Sequence, residues 1–484
     1  MFKKNKISIG VAAGLLGAVT MMTSAQAVYV NKDGTGQVLL FPYYNAQEGY
    51  VTNVNIVNST DETKAVRIRF REGRNSEDVM DFNLYMSPND VWSGSVQKDT
   101  AGSAKVITSD KTCTLPTSLA PSCKTGDCEP GSMVFAGANG TTADDTLEGY
   151  VEVYEMGVVE DEDVKHGVLH HNGSPNDCTA VSNAWLKDTG NFWKGEGVSE
   201  PTGGLFGSSA VLNIPEGTAF AVDPVAIDNY STKAQHTDPY DETKYMFPSL
   251  ASGDVTESSI MSNNGEELIV TGWDKSYSCS DSYCDNNPYP ISHVLLAPHL
   301  MNEYFLDPSQ GYDGHTDWVT TLPMKKHGVF NETEDARVHF ENGIFDREES
   351  RLAIEGVSPA SPTTLKREVN VLTFKTSDGA YDDSRSVFSS PTAIPVGVGP
   401  YVHGWARMSF GSGDADQTVS YDISHAVEWG KRYGPNVVSE DVSSDDSVYE
   451  GVPAIGFAAL EGNVSQNANA RFGDALPHKV QRNH

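Results

Sequence analysis

An alternation of apolar and polar residues over residues 38–92 is the feature that most restricts how this chain can fold. The pattern recurs in residues 52–56, 66–71 and 80–86, and polar breaks separate these runs. Because successive side chains of a strand point to opposite faces of its sheet, each run predicts a strand with one buried face. Several short strands joined by polar turns are typical of a sandwich. We therefore predict a mainly β protein with an immunoglobulin-like antiparallel β-sandwich near its start.

The first 27 residues have the three parts of a secretory signal peptide. Three lysines between residues 3 and 6 precede an apolar run over residues 7–22, and Ala-Gln-Ala at 25–27 supplies the small residues of a cleavage site. No later run reaches the ~18 consecutive apolar residues that a membrane-spanning helix needs. We predict an exported protein with no transmembrane segment in its mature chain, located at the cell surface or outside the cell, with the periplasm as the alternative.

Beyond the signal peptide, the pattern divides the chain into three sections. Residues 28–160 carry the predicted sandwich, and residues 161–315 form a loop-rich insertion with short helices. Strand patterns return in residues 316–484, which form a second sandwich or complete the first one. The length after cleavage exceeds one typical hydrophobic core, which agrees with more than one section.

Two short helices are predicted inside the insertion. One follows Asp177, where Val181 and Trp185 fall on the same helical face. The other follows Pro298, where Leu300 and Tyr304 have helical spacing. Both patterns are typical of helices that pack on a core.

The chain is strongly acidic, and this charge restricts the classes of partner. Its 66 acidic residues outnumber 34 basic ones, which gives a formal net charge of −32 at pH 7. Such a charge repels phosphate polyanions, so nucleic acid is excluded as a partner. The expected partners are components of the cell envelope or of other extracellular surfaces.

Six cysteines in an exported chain predict disulfide bonds rather than a metal site. They are Cys113, Cys123, Cys128, Cys178, Cys279 and Cys284. Spacing favours pairing 113 with 123, 128 with 178 and 279 with 284, because the first and last pairs enclose short polar loops. The Cys-x-x-Cys pairs of many zinc sites and the Cys-x-x-Cys-His motif of haem attachment do not occur.

A group of acidic residues offers the strongest candidate metal ligands. Glu303, Asp307, Asp313 and Asp317 lie close together in the sequence, with glycines among them. Calcium takes about six to eight oxygen ligands and suits extracellular loops, so calcium is the cofactor that this group would hold. The favoured interpretation is nevertheless that these carboxylates form hydrogen-bonded turns and helix caps.

The sequence lacks the common motifs for catalysis. There is no G-x-S-x-G elbow, no phosphate-binding loop and no H-E-x-x-H motif. His166, His170 and His171 are predicted to form an exposed group on a loop rather than a metal site. Trp185, Phe192 and Trp193 are aromatic candidates for stacking on sugars, although packing in the core is their favoured role.

Several short blocks of sequence along the chain resemble those of a known group of proteins. They are LFPYY at 40–44, REGRNS at 71–76, DFNL at 81–84, GGLFG at 203–207, NEY at 302–304, TDWV at 316–319, LP at 322–323 and IGF at 455–457. In this order they resemble an uncharacterised family of exported proteobacterial proteins that are usually labelled hypothetical or cell surface protein. The resemblance implies export and surface association, and it supplies no catalytic residue.

Together, these features predict a secreted or surface-associated structural or adhesive protein, and a role other than catalysis is favoured. The alternative is an extracellular module that binds carbohydrate or calcium. A third possibility is an extracellular hydrolase that uses acidic residues.

Overall fold

The computed structural model describes residues 27–124, 127–138, 140–186, 197–239, 248–262, 265, 267–273, 288–306, 312–327, 336–339, 343–351, 363–376, 385–410, 427–434, 437–442, 451–464 and 471–482. The signal peptide predicted for residues 1–27 therefore lies outside these residues except for Ala27. None of the helices within the described ranges is both long enough and apolar enough to cross a membrane.

Strands dominate the structure, which confirms the prediction of a mainly β protein. In the first half of the chain the strands are β1 Tyr29–Val30, β2 Val38–Asn45, β3 Tyr50–Asn58, β4 Lys64–Glu72, β5 Asp78–Met86, β6 Val91–Lys98, β7 Ala104–Thr108, β8 Cys113–Leu115, β9 Ser122–Lys124, β10 Asp127–Glu129, β11 Gly131–Val134, β12 Glu148–Val159, β13 His170–His171, β14 Ser174–Pro175, β15 Val198–Ser199, β16 Leu205–Asn213, β17 Thr218–Val222 and β18 Val225–Asp228.

In the second half the strands are β19 Glu257–Met261, β20 Leu268–Trp273, β21 Leu296–Ala297, β22 His299–Phe305, β23 Tyr312–Thr321, β24 Ala336–His339, β25 Ile344–Asp346, β26 Thr363–Leu365, β27 Val369–Lys375, β28 Ile394–Gly397, β29 His403–Phe410, β30 Val427–Gly434, β31 Val437–Val442, β32 Val452–Pro453, β33 Ile455–Val464, β34 Arg471–Pro477 and β35 Lys479–Gln481. The α-helices are α1 Glu162–Val168, α2 Thr179–Leu186 and α3 Tyr289–Val294. Single turns of 3₁₀-helix lie at Thr117–Leu119, Asp144–Leu147 and Lys325–His327.

Two sheets form the first sandwich. Sheet 1 has the order β1-β18-β2-β12-β4-β5-β8, with β15 beside β12, and sheet 2 has the order β11-β7-β6-β3-β16-β17. The core between them includes Ile68 and Phe82 of sheet 1 and Ile56 and Trp92 of sheet 2. Strands β16, β17 and β18 belong to the section predicted as a loop-rich insertion, so that section supplies strands to both sheets.

Sheets 3 and 4 face each other in the second half of the chain. Sheet 3 has the order β28-β27-β23-β33-β34, and sheet 4 has the order β26-β24-β29-β22-β35, with β25 also paired to β29. Trp318 and Phe374 of sheet 3 share a core with Tyr304 and Met408 of sheet 4. A further sheet, β19-β20-β30-β31, contributes Ile269 to the same core.

The two sandwiches are joined through an aromatic interface. The ring of Phe388 packs against four other rings, with its centroid 4.8 Å from that of Tyr43, 5.2 Å from Phe220, 5.9 Å from Phe457 and 6.4 Å from Tyr50. Because these rings come from sheets 1, 2 and 3, the loop at residues 386–390 links both halves of the chain. We call it the Phe388 loop.

The helix predicted after Asp177 is confirmed as α2, but the helix predicted after Pro298 is wrong. That segment is strand β22, in which Leu300, Asn302 and Tyr304 are buried on alternate positions. Leu300 and Tyr304, four residues apart, fit both the helical period of about 3.6 residues and the strand period of 2. Because the buried residue between them is the polar Asn302, the sequence does not show the alternation that is typical of a strand. Its amide donates a hydrogen bond to the carbonyl of Leu476 at 2.7 Å, which allows a polar side chain to occupy a buried strand position.

The disulfide pairing favoured by spacing is also wrong for the four described cysteines. Cys113 of β8 bonds to Cys178, which lies just before α2, and Cys123 bonds to Cys128. The second pair lies directly opposite across the β9–β10 hairpin, with a Cα–Cα distance of 4.0 Å. Pairing follows the positions to which the fold brings each Cα atom, and sequence spacing does not contain that information. Cys279 and Cys284 lie outside the described residues.

Candidate functional site

The outward face of sheet 4 carries the candidate site. In β29, Ala406, Met408 and Phe410 point into the core, so Trp405 and Arg407 occupy the outward positions. Trp405 keeps 39% of its surface exposed. Trp92, Trp273 and Trp318, by contrast, are completely buried. Among the tryptophans whose side chains the structure describes, an indole exposed in the middle of a sheet is therefore unusual.

Strand register places the neighbours of Trp405. Phe345 of β25 and Glu303 of β22 lie directly opposite Trp405 on either side. One step along the strands, Met301 lies between Arg407 and Lys479. Directly opposite residues of antiparallel strands share one face of the sheet. We call the surface formed by Met301, Glu303, Phe345, Trp405, Arg407 and Lys479 the Trp405 face.

The aromatic pair at the centre of this face is rigidly placed. The rings of Phe345 and Trp405 stack with their centroids 4.4 Å apart and an interplanar angle of 8°. A Cβ atom at Gly404 would lie 1.7 Å from the carbonyl oxygen of Phe345, so only glycine permits this close approach of β25 to β29. The hydroxyl of Tyr304 donates a hydrogen bond to the same carbonyl oxygen at 3.2 Å. The backbone beneath the stacked pair is thus held from the core side.

A second ring contact lies at the end of the same strands. Phe305 and His403 are opposite each other in the β22–β29 pair, and their ring centroids lie 5.0 Å apart. The ring of Phe305 packs against Gly314 of β23, which belongs to the facing sheet 3. This pair of rings is therefore not part of the Trp405 face.

The charged side chains of the Trp405 face make no ion pair within the described part of the chain. Glu303 and Lys479 are exposed. Arg407 is half-buried, and its Nε atom is buried without a hydrogen-bond partner among the described residues. The face thus offers an acceptor at Glu303 and donors at Arg407 and Lys479, beside an exposed apolar ring.

The four candidate calcium ligands do not form one surface site. Glu303 is exposed on the Trp405 face, whereas Asp317 of β23 is fully buried between the sandwiches. The side chain of Asp313 and the whole of Asp307 lie outside the described residues. Among the residues that the structure describes, no group of three or more histidine, cysteine or acidic side chains is arranged to hold a metal ion.

Asp317 instead anchors the Phe388 loop. Its carboxylate accepts hydrogen bonds from the Thr373 hydroxyl at 2.7 Å, the Ser386 hydroxyl at 2.6 Å and the Phe388 amide at 3.1 Å. Burial is the main cause that raises the pKa of Asp317 to about 6, against the lowering effect of these donors. The nearby negative charge of Glu148 raises this pKa further.

Glu148 of β12 is a second buried carboxylate at the same interface. It accepts hydrogen bonds from the Tyr43 hydroxyl at 2.7 Å and from the Ser390 hydroxyl at 3.0 Å. Burial raises its pKa. Both carboxylates therefore hold the ends of the Phe388 loop and connect the sandwiches, and their oxygen atoms face protein rather than solvent.

The largest group of internal charges lies on sheet 1. Arg71 pairs with Glu152 at 3.1 Å between Nε and Oε2, and both side chains are nearly fully buried. Arg69 forms an ion pair with Asp78 and donates to the carbonyl of Pro248 at 2.8 Å. These contacts fasten the segment around residue 248 onto the sheet. Because the charges are satisfied by one another, we assign them a structural role.

The other candidate residues from the sequence are dispersed. His166 lies in α1 rather than in a loop, while His170 and His171 form the exposed strand β13. The indole of Trp185 is buried and donates a hydrogen bond to the hydroxyl of Tyr85 at 2.8 Å. Trp185 thus packs in the core, and Phe192 and Trp193 lie outside the described residues.

Comparisons with protein-family models, with curated proteins and with solved structures gave no match for this chain. Trp405 and Phe345 are site residues that were not predicted from the sequence. The alternation of Trp405, Arg407 and Ser409 with apolar residues is the signal that places them outward.

Proposed function

We propose that this is an exported, surface-associated protein that binds carbohydrate through the Trp405 face. The observation that carries the proposal is the exposed Trp405 ring, stacked on Phe345 at the centre of a regular sheet face. Sugars present apolar C–H surfaces ringed by hydroxyl groups. An aromatic ring with acceptors and donors at its margin complements both properties.

Rigidity supports binding by this face. Trp405, Glu303 and Arg407 lie on paired strands rather than on loops, and the stacked Phe345 restricts the indole. A ligand that meets side chains already in place loses less conformational entropy on binding. A pre-formed, open surface of this kind suits an extended polymer better than a small molecule that requires an enclosed cavity.

Export and surface location are supported by the sequence. The signal-peptide pattern of residues 1–27 and the resemblance to exported cell surface proteins both favour them. The two disulfides agree with an oxidising compartment. A structural or adhesive role would then follow from attachment to polysaccharide of the envelope or of a neighbouring surface.

Affinity electrophoresis through gels that contain single polysaccharides tests the proposal. We expect at least one polysaccharide to retard the wild type, and Trp405→Ala to weaken that binding by about tenfold or more, equivalent to about 1.4 kcal/mol. Phe206→Ala is the matched control, because Phe206 of β16 is also 39% exposed but lies on sheet 2.

Circular dichroism establishes that both variants retain the fold. Equal retardation of the wild type and of folded Trp405→Ala would overturn the proposal. So would a wild type that no polysaccharide retards across neutral and charged polymers.

A further inference from the structure

We infer that the Trp405 face binds an anionic polysaccharide, whose carboxylate or sulfate groups pair with Arg407 and Lys479. This inference rests on the proposed carbohydrate-binding function and adds the class of ligand. Its basis is the juxtaposition of Arg407 and Lys479, which form no ion pair within the described residues, with the exposed ring of Trp405.

Neither cation of this face is neutralised by an acid within the described ranges. Arg407 and Lys479 form no ion pair there, although Glu303 is on the same face. The arginines of β4 differ, since Arg67, Arg69 and Arg71 each pair with an acid. Arg407 and Lys479 can therefore pair with an acidic group of a ligand.

Strand geometry sets the spacing between the ring and the cations. Arg407 is two residues from Trp405 on β29, which places their Cα atoms ~7 Å apart along the strand. Arg407 and Lys479 lie on either side of Met301, so their backbones are about two strand spacings, or ~10 Å, apart. A sugar ring stacked on Trp405 would hold the acidic group of an adjoining residue near the Arg407 guanidinium.

The guanidinium group suits this task. It can donate two parallel hydrogen bonds to one carboxylate or sulfate, and such charge-assisted bonds are stronger than neutral ones. The overall negative charge of the chain opposes an anionic polymer, but ions screen distant charges beyond ~8–10 Å at physiological ionic strength. The local charges then decide binding.

Substituting Glu303 should change the binding of an acidic polymer in the opposite direction to substituting the cations. It lies beside Trp405 and would repel an acidic group placed there. We expect Glu303→Gln to strengthen binding of an acidic polymer, whereas Arg407→Gln combined with Lys479→Gln weakens it. A role of these residues in stability alone would not produce opposite effects on ligand binding.

The experiment compares polygalacturonate, dextran sulfate and neutral dextran by affinity electrophoresis at low and physiological salt. We expect the wild type to bind an acidic polymer about tenfold more tightly than dextran. The Arg407→Gln, Lys479→Gln double variant should lose that difference, and Glu303→Gln should increase it. The stronger of the two acidic polymers identifies carboxylate or sulfate as the preferred group. Lys32→Gln, which removes an exposed cation elsewhere, should change nothing.

The outcomes separate this inference from the proposed function. Binding that needs Trp405 but is unchanged in the double variant, or that is equal for dextran and the acidic polymers, would overturn the anionic ligand and leave carbohydrate binding intact. Failure of every polymer to bind the wild type would overturn both.

Discussion

Replacing Asp317 with asparagine should make the protein more stable at neutral pH. Asp317 is fully buried, and burial raises the pKa of its carboxyl to about 6. Asparagine has nearly the same shape and no charge. Its carbonyl oxygen can accept from Ser386 and Phe388, and its amide can donate to the rotated hydroxyl of Thr373. The substitution therefore removes a buried charge without removing the anchor of the Phe388 loop.

The pKa of Asp317 determines the direction and the size of the change in the free energy of unfolding with pH. Because the pKa of Asp317 is higher in the folded protein than the ordinary value of 3.8, the folded state holds its proton longer than the unfolded state as pH rises. The free energy of unfolding of the wild type therefore falls between about pH 4 and pH 6. One pKa unit corresponds to about 1.4 kcal/mol, so the fall attributable to Asp317 is about 3 kcal/mol.

Urea unfolding followed by tryptophan fluorescence, at about pH 4 and about pH 8, measures this difference. Asp317→Asn should match the wild type at the lower pH and exceed its stability by up to about 3 kcal/mol at the higher pH. Thr373→Val removes a donor to the ionised carboxylate, so it should raise the pKa of Asp317 further and make the loss of stability between about pH 4 and about pH 8 larger. An advantage of Asp317→Asn that is the same at both pH values would refute the reasoning.

Three further changes test which contacts stabilise the fold, each by urea unfolding at neutral pH. Phe388→Ala should lower the free energy of unfolding by about 3–5 kcal/mol, because it removes the ring at the centre of the aromatic interface. Lys64→Met should cost about 3–5 kcal/mol, because it leaves the buried carboxylate of Glu155, now 2.6 Å from the Lys64 ammonium, without a counter-ion. Serine at Cys113 and Cys178 should cost about 4 kcal/mol, because this disulfide closes a loop with a sequence separation of 65.

Each of these changes has a control. Phe472→Ala alters a ring that is 44% exposed, so it should change stability by no more than about 0.5 kcal/mol. Adding Glu155→Leu to Lys64→Met should restore much of the lost stability, because no unpaired charge remains. Serine at Cys123 and Cys128 opens a loop with a sequence separation of 5 and should cost about 2 kcal/mol. A Phe388→Ala variant as stable as Phe472→Ala would contradict the described interface.

The strands could be predicted because their pattern is local. The runs at residues 52–56, 66–71 and 80–86 all lie in strands, as the alternation of their side chains indicates. Their partners were less accessible to sequence analysis. Strand β3 belongs to sheet 2, while β4 and β5 belong to sheet 1. Alternation identifies a buried face but does not say which sheet covers it.

The burial of the arginines of β4 was also not predictable from the local sequence pattern. Arg67, Arg69 and Arg71 alternate with apolar residues, which predicts a solvated face. In the structure all three are buried: carboxylates neutralise each of them, and Arg69 also donates to the carbonyl of Pro248. Contacts between residues nearly 180 positions apart determine this burial, and no local pattern encodes them.

The candidate site was only partly predictable for a related reason. The outward position of Trp405 follows from the alternation within its own strand. Its stacked neighbour Phe345, and the cation Lys479, come from segments whose register with β29 and β22 is set by the whole sheet. A sequence can therefore indicate an exposed tryptophan, but the surrounding chemistry appears only in the folded sheet.

Hydroxyl-radical footprinting of the wild type, with and without a polysaccharide that it binds, tests most directly whether the Trp405 face is the binding surface. We expect the ligand to slow oxidation of Trp405 and Phe345, while oxidation of Phe206 on sheet 2, which is as exposed as Trp405, is unchanged. Saturating binding that leaves the oxidation of Trp405 unaltered would contradict this expectation.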